Sequence, residues 1–302
     1  MVFASIFALM SAFVVAVTMA AVNRGNPAAT SSNGSAANSA TSRLQPVTSG
    51  SSPVSHSRAS GRSQSLDQRL AAALRPLVRS DAGHFAVGVI DIGTGARAVF
   101  DPDRAFPTAG LEKIDILAAL LLEHQQAGTQ VTPQQAALVS PMIENSSEDA
   151  ATGLDQAVGG VTGMTSANAQ LGLTHTVMGP AGRWDLSKTT VADQLRLLED
   201  LTAKTSVLSS ASQDYELGLM SSVQPSQRWG VSGAATPGTR FAIKDGWLAD
   251  PSLWVTNSMG VIDHSGQRLM IVVLADGQPT QAAGITLVAL AAAEASRVVT
   301  HA

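Results

Sequence analysis

Lysine is scarce in this chain: Lys113, Lys188, Lys204 and Lys244 are its four, against 15 arginines. Arginine serves ordinary surface charge, whereas a buried lysine can lose enough basicity to accept a proton. Lys113 lies in AGLEKIDILAALL, residues 109–121, one helical turn after Gly110. Apolar residues at 114, 117, 118 and 121 recur at helical spacing and predict a helix with one buried face beside Lys113. A polar turn, Glu144-Asn145-Ser146-Ser147-Glu148-Asp149, comes next and feeds a second helix. Lys244 closes an apolar run and is followed by Asp245, Gly246 and Trp247. Lysines beside hydroxyls in this order have the makings of proton transfer to or from a serine, or of anion binding.

Other chemistries are excluded. The chain has no cysteine, which removes disulfides, thiol nucleophiles and thiolate metal sites. Its histidines are His56, His84, His124, His175, His264 and His301, and no two have the spacing of a helical zinc motif. Neither a G-x-S-x-G elbow nor a Walker loop occurs. Gly93-Thr94-Gly95-Ala96-Arg97-Ala98 fits a dinucleotide fingerprint, but strand-like residues follow where that fingerprint needs a helix, so a hairpin turn is expected. No metal or other cofactor is expected. From Asp67 onward the chain holds 15 basic and 23 acidic residues, a net charge near −8, which excludes a nucleic-acid partner.

The elements that must position these groups follow from periodicity. Leu66, Leu70, Leu74 and Leu77 open the body with a helix. Residues 84–91 and 96–100 read as two strands around the Gly93–Gly95 turn. Helices are expected over 111–126, 133–140, 148–158, 163–171, 190–203 and 209–222. Three strands follow at 239–244, 253–262 and 268–275, and an alanine-rich helix at 279–299. This order lacks the strand–helix alternation of a parallel sheet. It predicts an α+β, three-layer α/β/α fold. An antiparallel five-stranded sheet carries the terminal helices, with an all-helical lobe inserted between strands two and three. The groove between sheet and lobe is the natural site.

Residues 2–22 carry no charge and are long enough to span a bilayer. They read either as a signal peptide or as an uncleaved transmembrane anchor. Residues 23–65 form a serine-rich stretch without hydrophobic period, 13 serines between Gly25 and Ser65, and are expected to be a flexible tether. The domain of residues 66–302 would then stand outside the cytoplasm, as a monomer.

Taken in order, these motifs resemble the penicillin-recognising serine hydrolases, the class A β-lactamases and related DD-peptidases, whose signatures are S-x-x-K, S-D-N and K-T-G. Here they read Gly110-Leu111-Glu112-Lys113, Ser147-Glu148-Asp149 and Lys244-Asp245-Gly246. The resemblance spans about residues 66–300 and implies the fold derived above. It makes Gly110 the position of the acylated serine, Lys113 the general base, Ser147 the proton-shuttling hydroxyl and Lys244 the cation that meets a substrate carboxylate. The backbone N–H groups of Gly110 and Trp247 match the oxyanion hole.

The departures bear on function. Glycine has no oxygen to acylate. Thr108 is five residues from Lys113, about 140° away on a helix of about 100° per residue. Asp149 stands where an amide is expected, and an ionised acid cannot donate to a substrate carbonyl. Asp245 replaces the hydroxyl that helps Lys244 and would repel the same carboxylate, or else cap the turn. The loop 172–188 offers Asp185 as its one acid and lacks the E-x-x-L-N pattern that activates water in class A enzymes.

Structural readings stand beside these. Gly110 also suits a helix start, Ser147 an N-cap, Lys113 a partner of Glu112 or Asp149, and Lys244 a partner of Asp245 or Asp276. Trp229 and Trp247 line the groove or pack in the core. The expected function is a membrane-tethered, extracytoplasmic β-lactamase-like domain impaired in catalysis, binding a carboxylate-bearing β-lactam or peptidoglycan peptide. An active serine hydrolase using Ser147 or Ser146 with Lys113 or Lys244 is the alternative. A protein-interaction scaffold is the third.

Overall fold

The computed structural model describes residues 64–78, 83–250 and 253–302. The leader at 2–22 and all but the last two residues of the tether lie outside the described residues. Among the described residues the first cap is Ser65, assigned above to the tether. Its hydroxyl accepts the Gln68 N–H at 3.2 Å while Gln68 Oε1 accepts the Ser65 N–H at 3.1 Å. This capping box starts helix α1, Leu66–Leu74.

Strand β1, His84–Asp91, is buried along its length after His84 because it lies inside the sheet. Asp91 ends it by accepting from Gly93 N at 2.8 Å and Thr94 Oγ1 at 2.8 Å. That Asx turn, with Gly95 at φ +74°, reverses the chain into β2, Arg97–Phe100. The expected hairpin is therefore present, and its glycines serve a turn. A two-residue strand β3, Phe106–Pro107, leads into a 3₁₀ turn at Ala109–Leu111 and helix α2, Glu112–Ala127.

Every residue of α2 from Glu112 to Leu122 is buried. Sequence periodicity predicts one buried face; the other helices of the lobe enclose all of it. These are α3 (Pro133–Glu144), α4 (Glu148–Ala157), α5 (Gly160–Leu171), α6 (Val191–Thr202) and α7 (Ser210–Ser221). The short strand β4, Lys188–Thr189, pairs with β3 just before α6 and ties the 172–188 loop to the start of α2. Thr132, Ser147, Thr190 and Ser209 cap α3, α4, α6 and α7 through their hydroxyls.

The chain ends with β5 (Phe241–Asp250), β6 (Leu253–His264), β7 (Gln267–Gln278) and α8 (Gln281–Thr300). The sheet is antiparallel in the order β2-β1-β7-β6-β5. The expected α+β arrangement is thus observed. Strand β5 runs six residues past Lys244, because Asp245 and Gly246 pair with Ser258 and Asn257. A polar, glycine-containing stretch that reads as a turn is an edge strand here. Helix α8 is long and apolar enough to cross a membrane by length and composition. It packs instead against the sheet through Val288, Ala291, Ala292 and Ala295.

Candidate functional site

The site forms where the edge strand β5 meets the start of α2. Asn257 on β6 donates to the carbonyls of Pro107 at 2.8 Å and Thr108 at 3.1 Å, and accepts the Ala275 N–H at 3.1 Å. It clamps the segment before Gly110 to the sheet. Ala109 takes a left-handed φ of +49°, rare for a residue with a Cβ, and so turns Gly110 toward β5. The contact is close: a Cβ on Gly246 would stand 2.6 Å from the Gly110 nitrogen. Only glycine fits at 246.

Lys113 and Lys244 are both fully buried and converge on one hydroxyl. Lys113 Nζ donates to Ser146 Oγ at 3.2 Å and Lys244 Nζ at 3.1 Å. Lys113 also donates to Glu148 Oε1 at 2.7 Å and lies 4.7 Å from the centre of the Trp184 ring. Lys244 also donates to the Asp245 carbonyl at 2.7 Å. Burial lowers the pKa of Lys113, opposed by its bond to Glu148. Burial and then the charge of Lys113 bring Lys244 down to about 7. The bracketed hydroxyl, half-buried Ser146, has a left-handed φ of +57°. A non-glycine residue held there marks backbone strain, which concentrates at functional sites.

This geometry shifts the middle motif by one residue. Ser147, predicted to be the hydroxyl of the site, accepts the Ala150 N–H at 3.3 Å as the N-cap of α4. Ser146 meets the lysines instead, so the motif reads Ser146-Ser147-Glu148. Glu148 takes the place expected of Asp149, which is exposed one residue further round the helix. Sequence reasoning also gave no role to Glu148, Trp184 or Asn257. A contact between distant segments leaves no local pattern, although Ser146 was visible as the neighbouring hydroxyl.

Asp245 also differs from expectation. Strand alternation places Lys244 and Asp245 on opposite faces of β5. The Asp245 carboxylate is 1% exposed. Its Oδ2 accepts the Trp229 N–H at 3.1 Å, and Ser258 bonds to it as well. Burial raises its pKa to about 7. Gly246 packs on Gly110, and half-buried Trp247 stands beside Trp229, ring centres 6.1 Å apart.

A serine at 110 would be tight. A Cβ there would meet the Asp245 carbonyl oxygen and Gly246 Cα at 3.0 Å each, so β5 must yield by a few tenths of an ångström. The one acid of the 172–188 loop is engaged, since Arg183 holds both oxygens of Asp185 at 2.9 Å. Thr108 is buried and bonded to the carbonyls of Trp184 and Ser187, away from the lysines. Among the described residues, no group of three His, Cys, Asp or Glu side chains is placed to hold a metal.

A helical lobe on a five-stranded antiparallel sheet, with paired lysines on a serine at their junction, defines the β-lactamase and DD-peptidase architecture. The chain belongs to the beta-lactamase enzyme family, whose model matches residues 122–299. That match begins after Lys113 and so does not depend on the first motif. A class A β-lactamase from Bacteroides cellulosilyticus superposes with a TM-score of 0.68 at 16% identity, covering 80% of this chain and 100% of that one. PBP-A gives a TM-score of 0.69 at 17% identity, covering 79% and 98%. The Mycobacterium tuberculosis protein named "Putative lipoprotein LppW" is 25% identical over 199 residues. That alignment spans 62% of this chain and 62% of that relative.

Proposed function

We propose that this chain is an extracytoplasmic, membrane-attached β-lactamase-like domain that binds a carboxylate-bearing ligand without forming an acyl-enzyme. The ligand would have the shape of a β-lactam or a cell-wall peptide. One observation carries the reading: two buried ammonium groups bracket Ser146 at 3.2 and 3.1 Å, while the position one turn before Lys113 is Gly110. The charge of an anion site is retained and the attacking oxygen is gone. Each ammonium has three donors, of which two are used, and Ser146 is the half-buried end of the pair. The uncharged run at 2–22 and the lipoprotein names of the relatives support the location. This chain has no cysteine for lipid attachment, so the apolar run itself would be the membrane element.

Intact-mass spectrometry after exposure to a reactive penicillin tests the reading. The wild type should gain no mass. Gly110→Ser should gain one penicillin if β5 yields, and should release it slowly because Asp185 is held by Arg183. Lys244→Ala should weaken carboxylate binding by about 1.5–3 kcal/mol, the range for a hydrogen bond to a charged group. The absence of any carboxylate binding at millimolar concentration would leave the scaffold reading in its place.

A second reading is favoured by the lysines themselves. Lys244, with its pKa near 7, can take the Ser146 proton as that oxygen attacks a carbonyl. Penicillin labelling of the wild type that disappears in Ser146→Ala would establish an active serine enzyme instead.

A further inference from the structure

Lys113 and Lys244 have no exposed surface, so the anion site they form is closed in the free protein. The groups touching Lys113 show what closes it. The Trp184 ring, 4.7 Å from the ammonium, is buried, and Ser146 is half-buried. Glu148 differs from both. Its side chain is 70% exposed, yet its Oε1 is 2.7 Å from an ammonium that solvent does not reach. A carboxylate of the chain itself therefore sits on this charge, with water on its outer side. Among the described residues it is the one carboxylate bonded to either ammonium. Its charge also acts on Lys244, opposing the effect of burial there. Lys113 is in turn the one side chain that bonds Glu148. The helix below it is held separately, by the Ser147 cap on Ala150. The carboxylate can thus turn out into water without unwinding α4, and at the first turn of that helix the N-terminal dipole still favours its charge.

We propose that Glu148 is a resident carboxylate that keeps the anion site of the groove occupied, and that a ligand binds by putting its own carboxylate in that place. The proposal rests on the ligand-binding reading above and adds what guards the site. Two carboxylates at one ammonium repel each other, most strongly where water is excluded. A ligand anion therefore competes with Glu148, and its affinity is the difference between the two. The chain holds its own acid within reach, so Glu148 competes at a high effective concentration. A small free anion is disfavoured by this competition. A ligand that makes further contacts along the groove overcomes it.

The test titrates sodium butyrate into the wild type, Glu148→Ala and Asp149→Ala at constant ionic strength, followed by calorimetry. Asp149→Ala removes the same charge from the same helical turn but touches neither lysine, so it separates displacement from general repulsion. Glu148→Ala should bind butyrate at least tenfold more tightly than wild type, and Asp149→Ala within about twofold of it. Adding Lys113→Met to Glu148→Ala should abolish the gain. A second readout needs no ligand. Brief treatment with acetic anhydride at pH 8, mapped by peptide mass, should spare Lys113 in the wild type while labelling exposed Lys188 and Lys204. Glu148→Ala should label Lys113 at least tenfold faster. Equal butyrate affinities in wild type and Glu148→Ala, an equal gain in Asp149→Ala, or unchanged labelling of Lys113 would overturn the proposal. Faster labelling of Lys113 with no butyrate binding in any variant would keep Glu148 as its cover and remove the carboxylate ligand of the reading above.

Discussion

Both sides of the sheet carry a buried hydrocarbon core, but they differ in the ionisable groups buried within it. On the α1 and α8 side the core includes Leu70, Leu74, Val87, Val231, Ile271, Val273, Val288 and Ala291, all fully buried hydrocarbon. Against the helical lobe, the same depth holds Glu112, Lys113, Asp115, Gln194, Glu216 and Lys244. Glu216 has no hydrogen-bond partner for either carboxylate oxygen, whereas the hydroxyls of Thr108 and Ser187 lie beside Glu112 and the Gln194 amide donates to Asp115. Burial pushes all three acids upward, Asp115 to about 7. Both sides therefore supply stability. The lobe side spends part of it to hold groups with displaced pKa values, which is the condition for acid–base or charge-dependent binding.

The largest expected effect lies on the apolar face. Ile271→Ala removes a fully buried side chain and should cost about 2–5 kcal/mol, read as a lower urea midpoint. Glu216→Gln changes a side chain of similar depth on the lobe face. It should cost less than about 1 kcal/mol, because the carboxylate has no hydrogen-bond partner to lose. Equal losses in the two variants would show Glu216 to be a structural partner and would end the contrast.

A smaller effect distinguishes the two kinds of buried charge by pH. An acid whose folded pKa is raised makes the folded state bind protons more tightly. Its contribution is full below the unfolded pKa and is lost as pH rises through the folded one. For Asp115 the loss falls between its ordinary value of 3.8 and about 7. Lys244 is lowered from 10.5 to about 7, so the unfolded chain binds the extra proton and stability recovers as pH rises from about 7 to 10.5. Denaturant midpoints should thus pass through a minimum near neutrality. Asp115→Asn should flatten the acid limb and Lys244→Met the alkaline limb. A profile unchanged by either variant would mean that other groups set it.

The same division explains what could be read in advance. The apolar face and the helix order were legible because hydrophobic period and caps are local: Leu66, Leu70 and Leu74 mark α1 on their own. The three motifs were legible as types in order. Their register was not, because Ser146 and Ser147 are adjacent serines before one helix and either could be its cap. Only the fold decides which hydroxyl meets a lysine 33 residues upstream and another 98 residues downstream. The full burial of α2 was hidden for the same reason. Its Glu112, Lys113 and Asp115 look like a solvated face until the neighbouring helices are in place.

A pair of adjacent substitutions tests that register directly. Ser147→Ala removes the oxygen that accepts the Ala150 N–H, so it should cost about 0.5–2 kcal/mol, the usual loss for an N-cap. It should leave the ligand site intact, since no hydrogen bond joins Ser147 to either lysine among the described residues. Ser146→Ala removes no cap and relieves neither lysine of its other bond, so stability should change less. Its consequence is electrostatic: two ammonium groups lose the shared acceptor between them, and carboxylate affinity should fall more than in Ser147→Ala. The two serines should therefore give opposite rankings in a urea melt and in a butyrate titration. The same ranking in both measurements would return the site hydroxyl to Ser147 and with it the motif register expected from sequence.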